Sequence, residues 1–376
     1  MRRADHPLLS PSLGSHKTLS SFHYGTAGAQ PKVYIQASLH ADELPGMLVA
    51  HHLRQALQIL EDAGQIQGEV IVVPVANPIG LAQRLDHKAM GRFELGSSEN
   101  FNRHYPDFAQ EIWHTVHTQL GPDAEANVVM VRKAMAAWLE DWAPASELES
   151  LRRTLVQLAF DADFVLDLHC DFEGVLHCYT EEACWPQLQA LAQTLGCKAV
   201  LLATGSGGNS FDECVSGVWW KLADKLRAAG TAAPLPQACC STTVEFRGEG
   251  DVEHALAKGD AQALLSFLQH IGVLKAKTQP TLPPALCQAT PLAGSETLTS
   301  AQPGVVVFNA EVGHPMQVGD LVAEVIDPIS GTTHPIHAGV AGVLYTRIRT
   351  RYIHSGGEIG KIAGNVAFRT GNLLGA

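Results

Sequence analysis

No apolar run in this 376-residue chain is long enough to span a bilayer, and no C-x-x-C pair occurs among its cysteines. The first absence argues against a membrane span. The second, with Cys170, Cys178, Cys184, Cys197, Cys214, Cys239, Cys240 and Cys287 scattered along the chain, argues against a disulfide framework or a cysteine-rich zinc site. Reduced thiols in a cytoplasmic protein fit best. Residues Met1–Gly25 contain Arg2 and Arg3 but no apolar stretch behind them, so no signal peptide is expected. Positive charge is scarce: 26 Lys and Arg stand against 38 Asp and Glu, for a net charge of -12. That balance argues against nucleic acid or an anionic membrane as the main partner, while leaving room for a local basic pocket. The glycine-rich Gly205–Gly208 lacks a following G-K-[ST], so it is not a phosphate loop and reads instead as a mobile loop near a site. With 46% hydrophobic and 17% charged residues, the chain can bury a large core, and its length suggests two domains.

The stretch Lys32–Gly46 organises the rest. Lys32 to Ala37 is a short apolar run with the character of a buried strand, and a polar turn ending in Pro45-Gly46 follows. Helix-spaced Leu44, Leu48, Leu53, Leu57 and Leu60 come next, to about Ala63. Residues 1–30 are polar and fit edge strands or a loose lead-in. A second strand, Gly68–Val75, runs into the turn Ala76-Asn77-Pro78. Residues 79–106 read as loop and residues 107–160 as helix. Further strands are expected at Ala162–Leu168, Ala199–Leu202 and Ser241–Phe246, with helices at Val218–Ala229 and His254–Leu274. Strands alternating with helices predict an α/β fold, a mixed but mostly parallel sheet flanked by helices. Lys277–Pro291 is rich in Pro, Thr and Gln and reads as a linker. Short strands around Val305–Val307, Leu321–Ile326 and Val340–Tyr345 then predict a smaller C-terminal all-β domain. The expected division is a catalytic domain over 1–280 and a β domain over 290–376.

Three of the expected parallel strands end in a potential metal ligand or base: His40 with Glu43, His169, and Glu245. Ligands in open α/β sheets bind outside the carboxyl ends of strands. Two His and one Glu form ordinary zinc ligation with a fourth position left for water, the catalytic arrangement. Zinc brings the pKa of such water toward neutrality and polarises a carbonyl. The set therefore fits amide or ester hydrolysis, with Glu245 as general base and later proton donor to the amine.

The pattern resembles the succinylglutamate desuccinylase/aspartoacylase family, within the wider zinc carboxypeptidase-like fold. The resemblance rests on Gln36-Ala37-Ser38-Leu39-His40-Ala41-Asp42-Glu43-Leu44-Pro45-Gly46, Ala76-Asn77-Pro78, Asn102-Arg103 with Tyr105-Pro106-Asp107, Asp167-Leu168-His169 and Val244-Glu245, in that order over about residues 30–270. It implies one Zn2+ per chain on His40, Glu43 and His169, with Glu245 as the catalytic carboxylate. It implies that Asn102 and Arg103 grip a substrate carboxylate or carbonyl, and that an arginine of the preceding loop polarises the scissile carbonyl, Arg92 rather than Arg84. The C-terminal unit is similar to the family's β domain, with strands like those of a biotinyl/lipoyl barrel. One departure is Asn100, where the wider fold often places an Asp to hold a ligand His; an amide oxygen raises ligand basicity less.

Plainer readings stand beside these. His40 and Glu43 alone are a common turn pair. Asp167 and Asp171 read as solvated turn carboxylates or as a hold on a neighbouring His. Trp113 and Trp219-Trp220 fit core positions, and Cys170 a small buried filler. A carrier module is the rival of another class, but the only lysine after Lys277 is Lys361, away from any central hairpin, so attachment of a prosthetic group is not expected. A cover over the site is, with Tyr345, Arg347, Arg349, Arg351 and Tyr352 able to reach its mouth. The reading reached is a zinc-dependent deacylase of a small N-acyl amino acid or amine, with no nucleic-acid or membrane partner and a homo-oligomer left open. A metallocarboxypeptidase and a non-catalytic zinc-binding protein are the alternatives. Retention of Glu245 argues against the latter, since a binding module has no use for a base.

Overall fold

The computed structural model describes residues 1–276, 278 and 281–374; of the expected linker, Lys277, Gln279 and Pro280 lie outside the described residues. A nine-stranded sheet forms the centre, in the spatial order Arg2–Pro7, Thr18–Gly25, Glu69–Val73, Lys32–Ala37, Phe164–Asp171, Cys240–Gly248, Leu176–Glu181, Ala199–Ala203 and Ala289–Pro291. The first two strands pair antiparallel at one edge, and Cys240–Gly248 meets Leu176–Glu181 antiparallel; the four strands between these points run parallel.

Strand alternation divides the apolar side chains between two cores. Val33, Ile35 and Ala37, with Val70, Val72, Leu166 and Leu168, face helices Pro45–Asp62, Trp185–Leu195 and His254–His270. Tyr34, Ile71, Val73 and Val165 face the opposite layer, helices Ala124–Asp141, Glu147–Ala159 and Phe211–Ala228. The C-terminal unit consists of two small antiparallel sheets around Val306, Val322, Val325, Leu344 and Ile362. It packs on this second face through Tyr345, Leu292 and Ala363 against Tyr179, Leu201 and Ala203. Glu173-Gly174, just past the strand that carries His169, pairs with Thr346-Arg347 of that unit.

Several expectations change. Leu176–Glu181 and Trp185–Leu195 were not anticipated, because the strand's His177, Thr180 and Glu181 break any apolar run. The helix expected from Val218 starts at Phe211, since its first turn carries Asp212 and Glu213 rather than apolar periodicity. The helix expected to reach Leu274 ends at His270. Within 79–106 lie a short helix, Pro78–Ala82, and a small hairpin of Arg84–Leu85 with Lys88–Ala89. Residues 107–160 form four helices rather than one run. The linker region ends in Ala289–Pro291, which adds to the large sheet beside Ala199–Ala203. No helix among the described residues is long and apolar enough to cross a membrane.

Candidate metal centre and active site

Strand Lys32–Ala37 ends at Ser38, which takes a left-handed φ of 66° and swings the chain into the His40–Glu43 turn. Non-glycine residues held in this region mark places where the surrounding structure over-determines the backbone. Asn77 pins the turn: its Nδ2 donates to Leu39 O at 2.8 Å, while its Oδ1 accepts from Gly80 N at 2.8 Å. Gly91 closes over the other side, and a Cβ there would meet Asp42 N at 2.2 Å. Only glycine allows that approach, and it delivers the next residue, Arg92, to Glu43.

His40, Glu43 and His169 converge, all buried, each offering a ligand atom within 4.8 Å of the others. Glu43 Oε1 lies 3.0 Å from His40 Nδ1, and Glu43 Oε2 lies 2.7 Å from His169 Nδ1. Arg92 Nη2 reaches Glu43 Oε1 at 3.1 Å, and Cys170 N donates to Oε2 at 3.2 Å. The far nitrogens are held from behind. His40 Nε2 sits 2.9 Å from Asn100 Oδ1, and His169 Nε2 lies 3.0 Å from Asp167 Oδ2, off line for a hydrogen bond but close enough to fix the ring electrostatically. Asp167 is itself held by Gln36 Nε2 at 3.0 Å, and Gln36 by the Tyr34 hydroxyl at 2.9 Å. Such outer partners set ring orientation and tautomer.

Burial works against charge throughout this cluster. It lowers the His40 pKa, with Arg92 adding to the effect. Against the same burial, His40 and His169 hold the Glu43 carboxyl well below its ordinary range, and Asp167 and Glu43 hold the His169 imidazole well above its own. Two imidazole nitrogens and a carboxylate, each aimed inward and backed from outside, suit a divalent ion such as zinc.

Glu245 pairs in register with His169 on the adjacent parallel strand, so both side chains leave the same face of the sheet. Its Oε2 is buried with no hydrogen-bond partner among the described residues. Desolvation and then the Glu43 charge push this carboxyl up to about 8. His40, His169, Glu245, Arg92, Asn102 and Arg103 line one cavity of about 330 Å³. Asn102 is also structural, since its Oδ1 accepts from Phe211 N at 2.8 Å. Arg103 Nη1 donates to Asn102 O at 2.7 Å. Arg84 lies apart, in the exposed hairpin.

Other residues fall as follows. Asp171 Oδ2 faces His177 Nε2 at 3.8 Å. Trp219 is fully buried, whereas Trp220 Nε1 donates to Glu181. Arg347 and Arg351 both clasp Glu173, and Arg349 approaches Glu249 at 3.5 Å. Tyr345 is buried in the joint and Tyr352 is exposed. The cavity's roof comes instead from Ile348, Glu358 and Lys361, the last paired with Glu358 at 3.0 Å. Sequence reasoning missed Tyr179, Glu181, Ser206, Asp212 and Glu213 on its walls. Only the period-two spacing of Ser241, Thr243 and Glu245 could have hinted that one strand face stays polar.

Residues 29–127 match the family profile described as the Succinylglutamate desuccinylase/Aspartoacylase catalytic domain. The resemblance to the succinylglutamate desuccinylase/aspartoacylase family holds. Among solved structures, a protein named for this family from Shewanella amazonensis is 25% identical, with 96% of this chain and 98% of that one covered and a TM-score of 0.82. Another, from Shewanella frigidimarina, shares 23% identity, with 97% of each chain covered and a TM-score of 0.83. The product-bound ectoine utilization protein from Ruegeria pomeroyi shares the fold at 18% identity and a TM-score of 0.64, with 96% of this chain and 93% of that one covered. No curated protein matches the chain. The profile takes its name from desuccinylases and aspartoacylases.

Proposed function

We propose that this protein is a metal-dependent deacylase that cleaves the amide of a small N-acyl amino acid or N-acylated amine. The observation that carries the reading is the strand register that sets Glu245, with a buried carboxylate oxygen unpartnered among the described residues, beside the His40–Glu43–His169 cluster. A zinc ion held by those three residues would supply a Lewis acid for the acyl carbonyl and lower the pKa of water to near neutrality.

The remaining roles belong to the chain. Glu245 takes the proton from the attacking water and returns it to the departing amine; a carboxyl raised toward neutral pH is suited to both tasks. Arg92, anchored on Glu43, stabilises negative charge growing on the acyl oxygen. Arg103 offers a planar fork to a substrate carboxylate. Asn102 keeps its amide nitrogen for the substrate while its oxygen holds the helix at Phe211. A cavity of about 330 Å³ beneath the C-terminal unit suits a small acylated molecule better than a peptide.

The test is hydrolysis of N-acetyl and N-succinyl amino acids by the purified protein with added zinc. Release of free amine, abolished by a chelator and restored by zinc, is expected. Cleavage restricted to peptide C-termini would replace this reading with a carboxypeptidase.

A further inference from the structure

One edge of the cavity takes no part in the chemistry described so far. Register pairs Thr243 with Tyr179 and Tyr179 with Leu201. The sheet face that holds Glu245 therefore continues across two more strands, about 10 Å, to Leu201 and Ala203. There its character changes. Leu201, Ala203, Leu292 and Leu374 line the cavity, and all four belong to the apolar joint beneath the C-terminal unit. Glu181, opposite Ala203 in the register, has its two oxygens engaged by Ser216 Oγ at 2.5 Å and Trp220 Nε1 at 2.6 Å.

Leu374 reaches this edge from far along the chain, and residues 368–374 are held in place to deliver it. Phe368 N and Arg369 N both donate to Ala293 O at 3.0 Å. Arg369 Nη1 donates to Ser295 O at 3.2 Å, and its Nη2 to Leu373 O at 2.7 Å. Leu373 N in turn donates to Ser206 O at 2.8 Å. Asn372 lies so close to the same loop that a Cβ on Gly207 would stand 2.3 Å from its Oδ1. The loop gripped in this way also seats the two residues after Arg103: His104 N donates to Gly208 O and Tyr105 N to Asn209 O, each at 3.0 Å. Leu374 is half-buried, so it leaves apolar surface on the cavity wall beside the fully buried Leu201. Such surface is stabilised when an apolar part of a ligand covers it.

We propose that Leu374, with Leu201 and Leu292, forms an apolar end stop that determines specificity by receiving a linear aliphatic side chain on the amine half of the substrate and limiting its length. This rests on the deacylase reading and narrows it: the substrate's carboxylate lies at Arg103 and its side chain runs along the sheet face to the leucines. One piece of chain sets both ends of that ruler, because residues 372–374 carry the stop and pin the loop that seats the Arg103 segment. Each methylene that reaches the apolar edge should tighten binding by roughly four-fold, the gain for burying one such group. A chain that runs into Leu374 must instead push into packed side chains, which costs more than it gains.

The probes are the N-acetyl derivatives of L-alanine, L-norvaline, L-norleucine and L-2-aminooctanoate, which differ only in chain length. Binding is measured calorimetrically on the zinc-loaded full chain carrying Glu245→Gln, and hydrolysis on the unaltered protein. Affinity should climb by roughly four-fold per methylene and then drop at one chain length. On the same background, Leu374→Ala should move the drop to a longer chain and Leu374→Phe to a shorter one. Each is read as the ratio of long-probe to short-probe affinity within one variant, so a general loss of folded protein cannot imitate the shift. A flat series, or a drop at the same length in all three proteins, overturns the end stop. If the chain-length order of binding holds but no probe is hydrolysed, the end stop stands and the deacylase reading falls. If the probes are hydrolysed with no dependence on chain length, the deacylase reading stands and the end stop falls.

Discussion

His40 turns its Nε2 onto the amide oxygen of Asn100 at 2.9 Å, while its Nδ1 faces Glu43 at 3.0 Å. One histidine is thereby oriented from both ends, and its outer partner is an amide where the family resemblance led one to expect a carboxylate.

The Asn100 contact should be measurable in metal affinity. Asn100→Ala is expected to weaken zinc binding by about 10–100-fold, the usual effect of removing an outer partner. Asn100→Asp should hold or strengthen it by raising imidazole basicity. Competition against a chromophoric chelator reads both. The double change His40→Ala/His169→Ala should abolish the expected one zinc per chain, and metal retained there would refute the ligand set.

Glu245→Gln keeps the shape of the side chain but cannot accept a proton. Zinc content and thermal midpoint should stay near those of the unaltered protein while turnover falls at least about 100-fold, the low end for loss of general-base catalysis. Loss of zinc would make Glu245 a ligand. A near-normal rate would move the base elsewhere, with Asp171, on the cavity wall, the next residue to test; Glu173, clasped by Arg347 and Arg351, does not line the cavity.

Arg103→Ala should weaken binding of an N-acyl amino acid by roughly 2–5 kcal/mol, the range for truncating one member of a hydrogen-bonded charge pair. Arg103→Lys should rescue little, because an ammonium cannot reproduce the bidentate fork. Full rescue by lysine would reduce Arg103 to a diffuse positive charge.

Glu181 makes stability depend on pH. Its folded-state pKa is raised to about 8, so between the unfolded carboxyl's value of about 4.5 and that point the native state holds a proton the unfolded chain has released. Stability must therefore fall as pH rises through this window and level off above it. Denaturant titrations from pH 5 to pH 8 should show the decline, and Glu181→Gln should lessen it, Glu245 contributing a decline of the same sign. An unchanged slope in the variant would place the titration on other groups.

Much of the cluster was legible because its chemistry sits at strand ends. Apolar runs ending in His40, His169 and Glu245 announce both the strand and the side chain it delivers. The far half of the cavity was not legible, for the opposite reason. Leu176–Glu181 alternates Cys178 toward a core with Tyr179 and Glu181 toward the cavity, so its pattern imitates a loop. The first turn of Phe211–Ala228 likewise spends its positions on Asp212 and Glu213. Polar walls hide elements that apolar periodicity would reveal. Lys361 was set aside because it lies away from any central hairpin, and its place over the cavity depends on a packing of two units that no local pattern records.

The double clasp of Arg347 and Arg351 on Glu173 has a mechanical corollary. Glu173 stands four residues beyond His169 on the same stretch of chain, so the roof is bolted to the extension of a strand that carries one member of the candidate metal cluster. Lifting the roof to admit a bulky molecule would tug on that strand and disturb the cluster it is meant to expose. A molecule too large for the cavity of about 330 Å³ could then enter only at the expense of the His40–Glu43–His169 geometry.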